Sequence, residues 1–109
     1  MKKIVPIAIA ALALSATSLL ARDAKVLYED QCAKCHGLDG KGQTKMGQKL
    51  SAKDYTDATV QANLKDEAGF KAIKEGLKNK DGKVLMKPTE DVSDDEAKAL
   101  IAYMRTFKK

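Results

Sequence analysis

Cys32-Ala33-Lys34-Cys35-His36 decides how the rest of this chain is read. The stretch holds both cysteines and the only histidine among 109 residues. Residues three apart share a helix face, so the sulfurs of Cys32 and Cys35 project side by side from one turn. Two sulfurs so placed can form thioethers with the two vinyl groups along one haem edge. The histidine that follows is then carried under the ring as an iron ligand. The spacing predicts one haem c, covalently attached through Cys32 and Cys35, with His36 as its proximal ligand.

Three other chemistries use similar residues. A thioredoxin-like dithiol needs a βαβ setting, and no strand pattern flanks the motif. Structural zinc takes four protein ligands, usually cysteine or histidine. Only three are present, so a carboxylate would have to complete the set. A disulfide between cysteines this close closes too short a loop to constrain the unfolded chain much. Haem is the expectation.

The chain is too short for two cores. Aromatics make up 5% of it and tryptophan is absent, which leaves a purely protein core thin for this size. A buried porphyrin would supply the missing apolar mass. Charged residues account for 32%, which implies a well-solvated surface.

Residues 1–21 read as a separate segment. Lys2 and Lys3 are followed by an apolar run from Ile4 to Leu14 and then by small residues, the order of a secretory signal peptide. Cleavage after Ala21 puts Leu19 at the −3 position; cleavage after Ser18 puts Ala16 there. The rival is an uncleaved anchor, because Ile4 to Ala21 carries no charge and is just long enough to span a bilayer. Pro6 and Ser15-Ala16-Thr17-Ser18 disfavour a permanent span. The mature domain is expected at 22–109, periplasmic or otherwise exported, outside the cytoplasmic membrane. Removal of 1–21 takes away Lys2 and Lys3 and no acid, so the formal charge falls from +5 to +3.

From Asp23 to Gly37 the pattern is helical, with Ala24, Leu27, Tyr28, Cys32 and Cys35 on one face. Gly37 is a natural stop. Gly37, Gly40, Gly42 and Gly47 then fall within eleven residues. That run is expected to be irregular, either a wrap over a flat ligand or a solvated connector. A short helix is expected near Ala58 to Leu64. A clearer one covers Glu67 to Asn79, with Phe70, Ile73 and Leu77 on one stripe and Gly76 near its end. Lys80 to Glu90 has no period and reads as a loop. Ser93-Asp94-Asp95-Glu96 is a capping box, with acids in the first turn facing the positive end of the helix dipole. Ala97, Leu100, Ile101 and Met104 follow at helical spacing, with Phe107 or Lys108 next in register.

These features together resemble the small monohaem class I cytochromes c. The resemblance runs from about Ala24 to Phe107 and rests on four matches. The attachment motif is the first. Ala24 and Tyr28 match the small and aromatic residues where the family's first helix crosses its last. Leu100-Ile101-Ala102-Tyr103 matches the other side of that crossing. Met86-Lys87-Pro88 falls where the family keeps its methionine iron ligand. The resemblance implies an all-α cytochrome c fold, three to four main helices around one covalent haem, with iron held by His36 and Met86. Met46 reads instead as a loop residue and Met104 as a core residue; Tyr28 and Tyr103 read as packing. Two departures stand out. Gln48 occupies the position where the family often has a proline whose carbonyl accepts from the ligand histidine. No tryptophan is present to stand against a propionate.

With both axial positions filled, the iron has no open site, and methionine raises its potential. The expected function is therefore the shuttling of single electrons between redox proteins, without catalysis. Lys34, Lys41, Lys45, Lys49 and Lys87 fall in the motif, the glycine run and the methionine segment. They would form a basic rim for acidic partners, although a solvated lysine-rich surface would give the same list. No nucleic acid is expected as partner. Membrane contact is expected only through partners or an uncleaved N-terminus, and the protein is expected to be a monomer. One alternative is a haem enzyme or gas sensor with a labile sixth ligand, which lacks a second histidine as distal base. The other is a dedicated electron-donating subunit of an oxidoreductase.

Overall fold

A computed structural model describes residues 22–109 together with Lys3. The predicted signal segment, 1–21, lies outside the described residues apart from Lys3. Six helices and one two-stranded hairpin make up the described part. None of the helices is long and apolar enough to cross a membrane.

The two ends of the domain build its centre. Helix α1 (Ala24–Gln31) starts at Asp23, whose carboxylate accepts from the Lys25 amide at 2.9 Å. It continues after a one-residue break at Cys32 into α2 (Ala33–His36). The break is slight, because the Cys32 amide still donates to Tyr28 O and the His36 amide to Cys32 O. At the other end, α6 (Asp94–Arg105) opens with the expected capping box. Ser93 Oγ accepts from the Glu96 amide at 3.1 Å, and Glu96 Oε1 accepts from the Ser93 amide at 2.9 Å.

Helix α1 buries Leu27 and Tyr28, and α6 buries Ala97, Leu100, Ile101 and Met104. The Tyr28 ring lies 5.2 Å from the rings of both Tyr103 and Phe107, within the range where tilted aromatic pairs attract. This crossing is the one the sequence resemblance implied. Leu100 is fully buried in it; truncation to alanine at such a site costs about 2–5 kcal/mol.

Between these ends lie α3 (Lys45–Lys49), α4 (Ala58–Asn63) and α5 (Asp66–Glu75). Helix α5 packs on α6 through Ile73 and the half-buried Phe70. Gln61 of α4 is buried, and its amide nitrogen donates to the carbonyls of Tyr55 and Met104 at 2.6 and 2.9 Å. Arg105 adds a bond to the Leu64 carbonyl at 2.8 Å and pairs with Asp66. The end of α6 is thereby tied to the middle of the chain, and the buried Gln61 amide finds its acceptors there.

Three expectations change. The glycine-rich run is not wholly irregular, because it contains α3, whose N-cap is Thr44. The α5 stripe stops before Leu77. Gly76 takes φ +80°, which a side chain would strain, and turns the chain into strand β1 (Leu77–Lys78). Leu77 is consequently 49% exposed. The supposed loop from Lys80 to Glu90 holds strand β2 (Val84–Met86), antiparallel to β1 with Leu77 opposite Met86. Asn79 closes the turn, its side-chain oxygen accepting from the amides of Asp81 and Lys83 at 2.9 Å each.

Candidate haem site

Helix α2 ends at His36, and a helix end leaves carbonyls without partners. Here three in succession are taken up by other parts of the chain. The Cys35 carbonyl accepts from Thr44 Oγ1 at 2.8 Å, the His36 carbonyl from the Gly42 amide at 2.8 Å, and the Gly37 carbonyl from the Tyr28 hydroxyl at 2.7 Å. Thr44 Oγ1 also accepts from the Gly47 amide at 2.8 Å. The attachment turn and α3 therefore share one hydroxyl. Gly47 must be glycine, because any Cβ there would run into the Cys35 carbonyl oxygen. The glycine run thus presses on the motif's own backbone.

Both cysteines are free thiols, Cys32 buried and Cys35 half-buried. Burial, and then the neighbouring Cys35, push the Cys32 thiol up to about 11. A reactive dithiol has one cysteine well below its ordinary value, and the buried Cys32 is not that cysteine. Among the described residues, no three His, Cys, Asp or Glu side chains converge as a metal cluster would require.

His36 is partly buried, and burial lowers its pKa, favouring the neutral imidazole that binds metals. Its Nδ1 is buried without a hydrogen-bond partner. The ring lies 5.7 Å from that of Tyr55. The carbonyl of Gln48, at the position where the family often has proline, is engaged by the amides of Leu50 and Ser51.

The structure brings Cys32, Cys35 and His36 onto one turn; Met86 belongs to a different element. It is the last residue of β2, half-buried and packed against the core. The Thr89 amide bonds the Ile73 carbonyl at 2.8 Å just beyond it. Met104 is buried in α6, as expected for a core residue, and Met46 is half-buried on α3. A groove of about 660 Å³ lies elsewhere, lined by Phe70, Ile101 and Ala102 with charged residues around them, and includes none of these four side chains.

The profile of the family "Cytochrome c" matches residues 21–108. The chain belongs to the cytochrome c family. Its solved relatives include the KustC0563 c-type cytochrome, 36% identical with a TM-score of 0.69 over 81% of this chain and 100% of that one. A KustC0563 variant with a tyrosine replaced by phenylalanine matches at 34% identity and a TM-score of 0.66, over 80% of this chain and 100% of that one. No curated protein matches.

As a cytochrome c, the chain carries haem c, held covalently through its cysteines, Cys32 and Cys35. The residues fit the group. Two unpaired thiols leave one helical turn together, and a neutral imidazole with an unpartnered nitrogen follows directly. Sequence reasoning passed over one residue of this neighbourhood, Tyr55. Its ring faces His36, burial raises its pKa, and its amide bonds the Gly40 carbonyl at 2.8 Å. The available signal was compositional: a tyrosine inside the polar run Ser51 to Asp57, in a chain with only five aromatic residues, has few reasons to be there.

Proposed function

We propose that this cytochrome c is an exported, monomeric electron carrier without catalysis of its own, its iron ligated by His36 and Met86. Haem iron alternates between ferric and ferrous states and so holds one transferable electron. The protein's part is to fix both axial ligands and keep other ligands away. His36 is suited to the proximal role by its place directly after Cys35 and by the three bonded carbonyls that lock its turn.

The observation that carries the reading is the seat of Met86. Met104 is committed to the α1–α6 core and Met46 to the short helix α3, whereas Met86 sits half-buried on a hairpin closed from behind by Gly76 and Thr89. A thioether on a pinned strand is a ligand that holds its place, which keeps the sixth position closed. The single histidine is already used, so no second imidazole can serve as a distal base. Lys34, Lys45, Lys49 and Lys87 are exposed and Lys41 half-exposed, which supports a basic rim docking acidic redox proteins.

The test is the absorption spectrum of the ferric protein, in which thioether ligation gives a weak charge-transfer band at the red end. Met86→Ala should abolish that band, lower the potential and admit azide. Met46→Ala and Met104→Ala should leave it. Loss of the band in either of the latter, with Met86→Ala unchanged, moves the ligand elsewhere. Azide binding to the wild-type protein would turn the reading towards an enzyme or sensor.

A further inference from the structure

Arg22, the residue before the α1 N-cap, is fastened to the start of α6 by its backbone as well as its side chain. Its backbone nitrogen donates to Glu96 Oε2 at 2.9 Å. Its Nε donates to the same oxygen at 2.7 Å, and one terminal nitrogen reaches Glu96 Oε1 at 3.2 Å and the Asp91 carbonyl at 2.7 Å. The other terminal nitrogen lies 3.8 Å from Asp91 Oδ2. The Glu96 side chain is only 7% exposed, against 48% for Arg22. A backbone nitrogen held on a buried carboxylate at the very edge of the domain is an unusual place for an ordinary peptide amide. It is a good place for a positive charge.

We propose that the leader is removed by hydrolysis of the Ala21–Arg22 bond, and that the new α-ammonium of Arg22 forms an ion pair with Glu96 that joins the mature N-terminus to the last helix. The proposal rests on the export reading above. Water adds across the amide under a signal endopeptidase, leaving the carboxylate on Ala21 and the ammonium on Arg22. The amide has one N–H; the ammonium has three, so it keeps the bond to Glu96 and gains two donors for Asp91 or water. The amide bond to Glu96 is already charge-assisted through its acceptor; the ammonium adds a full positive charge beside that carboxylate and so a direct coulombic attraction. The alternative cut after Ser18 would leave Leu19-Leu20-Ala21 attached to this nitrogen, three apolar residues in front of a half-exposed arginine, and would keep it neutral. Glu96 is the acid bonded to this nitrogen; the neighbouring Arg22 guanidinium, the nearby cation, is itself held by Glu96 and, less strongly, by Asp91 and Asp30.

Two measurements decide it. The full chain is expressed in a bacterium that exports it and attaches haem, and the purified holoprotein is weighed intact and sequenced from its N-terminus. The expected product begins at Arg22 and carries one haem. A product beginning at Leu19, or an uncut chain that carries haem, overturns the proposal and leaves export standing; an uncut chain without haem overturns both. The cut protein is then labelled with nitrogen-15 and its unmodified α-amine titrated by NMR. It should titrate above about 9, against about 7.7–8.0 for an ordinary α-amine, and Glu96→Gln should return it to that range. Equal values in both proteins overturn the ion pair. If Glu96→Gln does not fold, the wild-type value decides alone, and a value at or below about 8 overturns it.

Discussion

Tyr28→Phe isolates one hydroxyl in the centre of the molecule. The side chain is fully buried and its oxygen donates to the Gly37 carbonyl at 2.7 Å, directly after His36. Burial raises the phenol's pKa, so the donor proton stays in place at every pH where the fold persists. Phenylalanine keeps the ring, and with it the packing on Tyr103 and Phe107. What is lost is a single buried hydrogen bond, and an acceptor stripped of its partner costs about 1–3 kcal/mol. The Gly37 carbonyl retains the Gly40 amide at 3.2 Å, which places the loss at the lower end, about 1–1.5 kcal/mol. For a domain of this size that is a fall in Tm of about 4–12 °C. Tyr28→Ala also removes the ring and should cost about 3–5 kcal/mol. The assay is thermal and urea unfolding of the holoprotein, followed by circular dichroism and by the haem band. An unchanged midpoint in Tyr28→Phe would refute the reasoning. So would a loss equal to that of Tyr28→Ala, because the ring would then contribute nothing.

Ser93→Ala removes the hydroxyl that caps α6 and should lower stability by about 0.5–2 kcal/mol, measured by urea unfolding; no change would mean the helix is held elsewhere. Glu96 is held below the ordinary carboxylate range, first by the Arg22 side chain and then by the amides of Ser93 and Arg22. Its contribution is fully present above about pH 4.3, the ordinary glutamate value, and is lost as pH falls through the folded pKa. The unfolding midpoint should therefore drop more steeply under acid in the wild type than in Glu96→Gln, and parallel profiles would refute this. If the lysine rim steers partners, electron transfer should slow with added salt, since exposed charges are screened beyond about 10 Å at 0.1 M; a flat or rising rate would exclude steering.

What the sequence made legible is local or pairwise. The capping box of α6 is written in four consecutive residues, and the haem turn in five. Tyr28 and Tyr103 could be matched because the family resemblance puts them on the two sides of one helix crossing. The illegible parts depend on contacts made at long range. Leu77 fits the α5 stripe by spacing, yet Gly76 diverts the chain so that Leu77 pairs across to Met86. Helix α3 forms in a stretch whose glycines argue against it, because Thr44 has the Cys35 carbonyl to bond and Gly47 can close up against it. Tyr55 acquires its meaning only when its segment is folded back beside His36. The His36 imidazole offers the same lesson in reverse. The family pattern pointed to the carbonyl at Gln48, but α3 turns that carbonyl towards Leu50 and Ser51.

The meeting of α1 with α6 also sets an order of events for the newly made chain. Cys32 is buried among side chains from both ends of the domain, and α6 is the last helix to be synthesised. Leu100, Ile101 and Met104 of that helix share the cluster with Cys32, so the thiol reaches its full burial only when α6 docks. Thioether formation therefore belongs to the open chain, in the interval before its ends meet. If the chain is exported as proposed, the two sulfurs are free in that same interval to oxidise to each other. Biogenesis is a race between haem delivery, thiol oxidation and closure, and a chain that folds faster without its cofactor would mature less well.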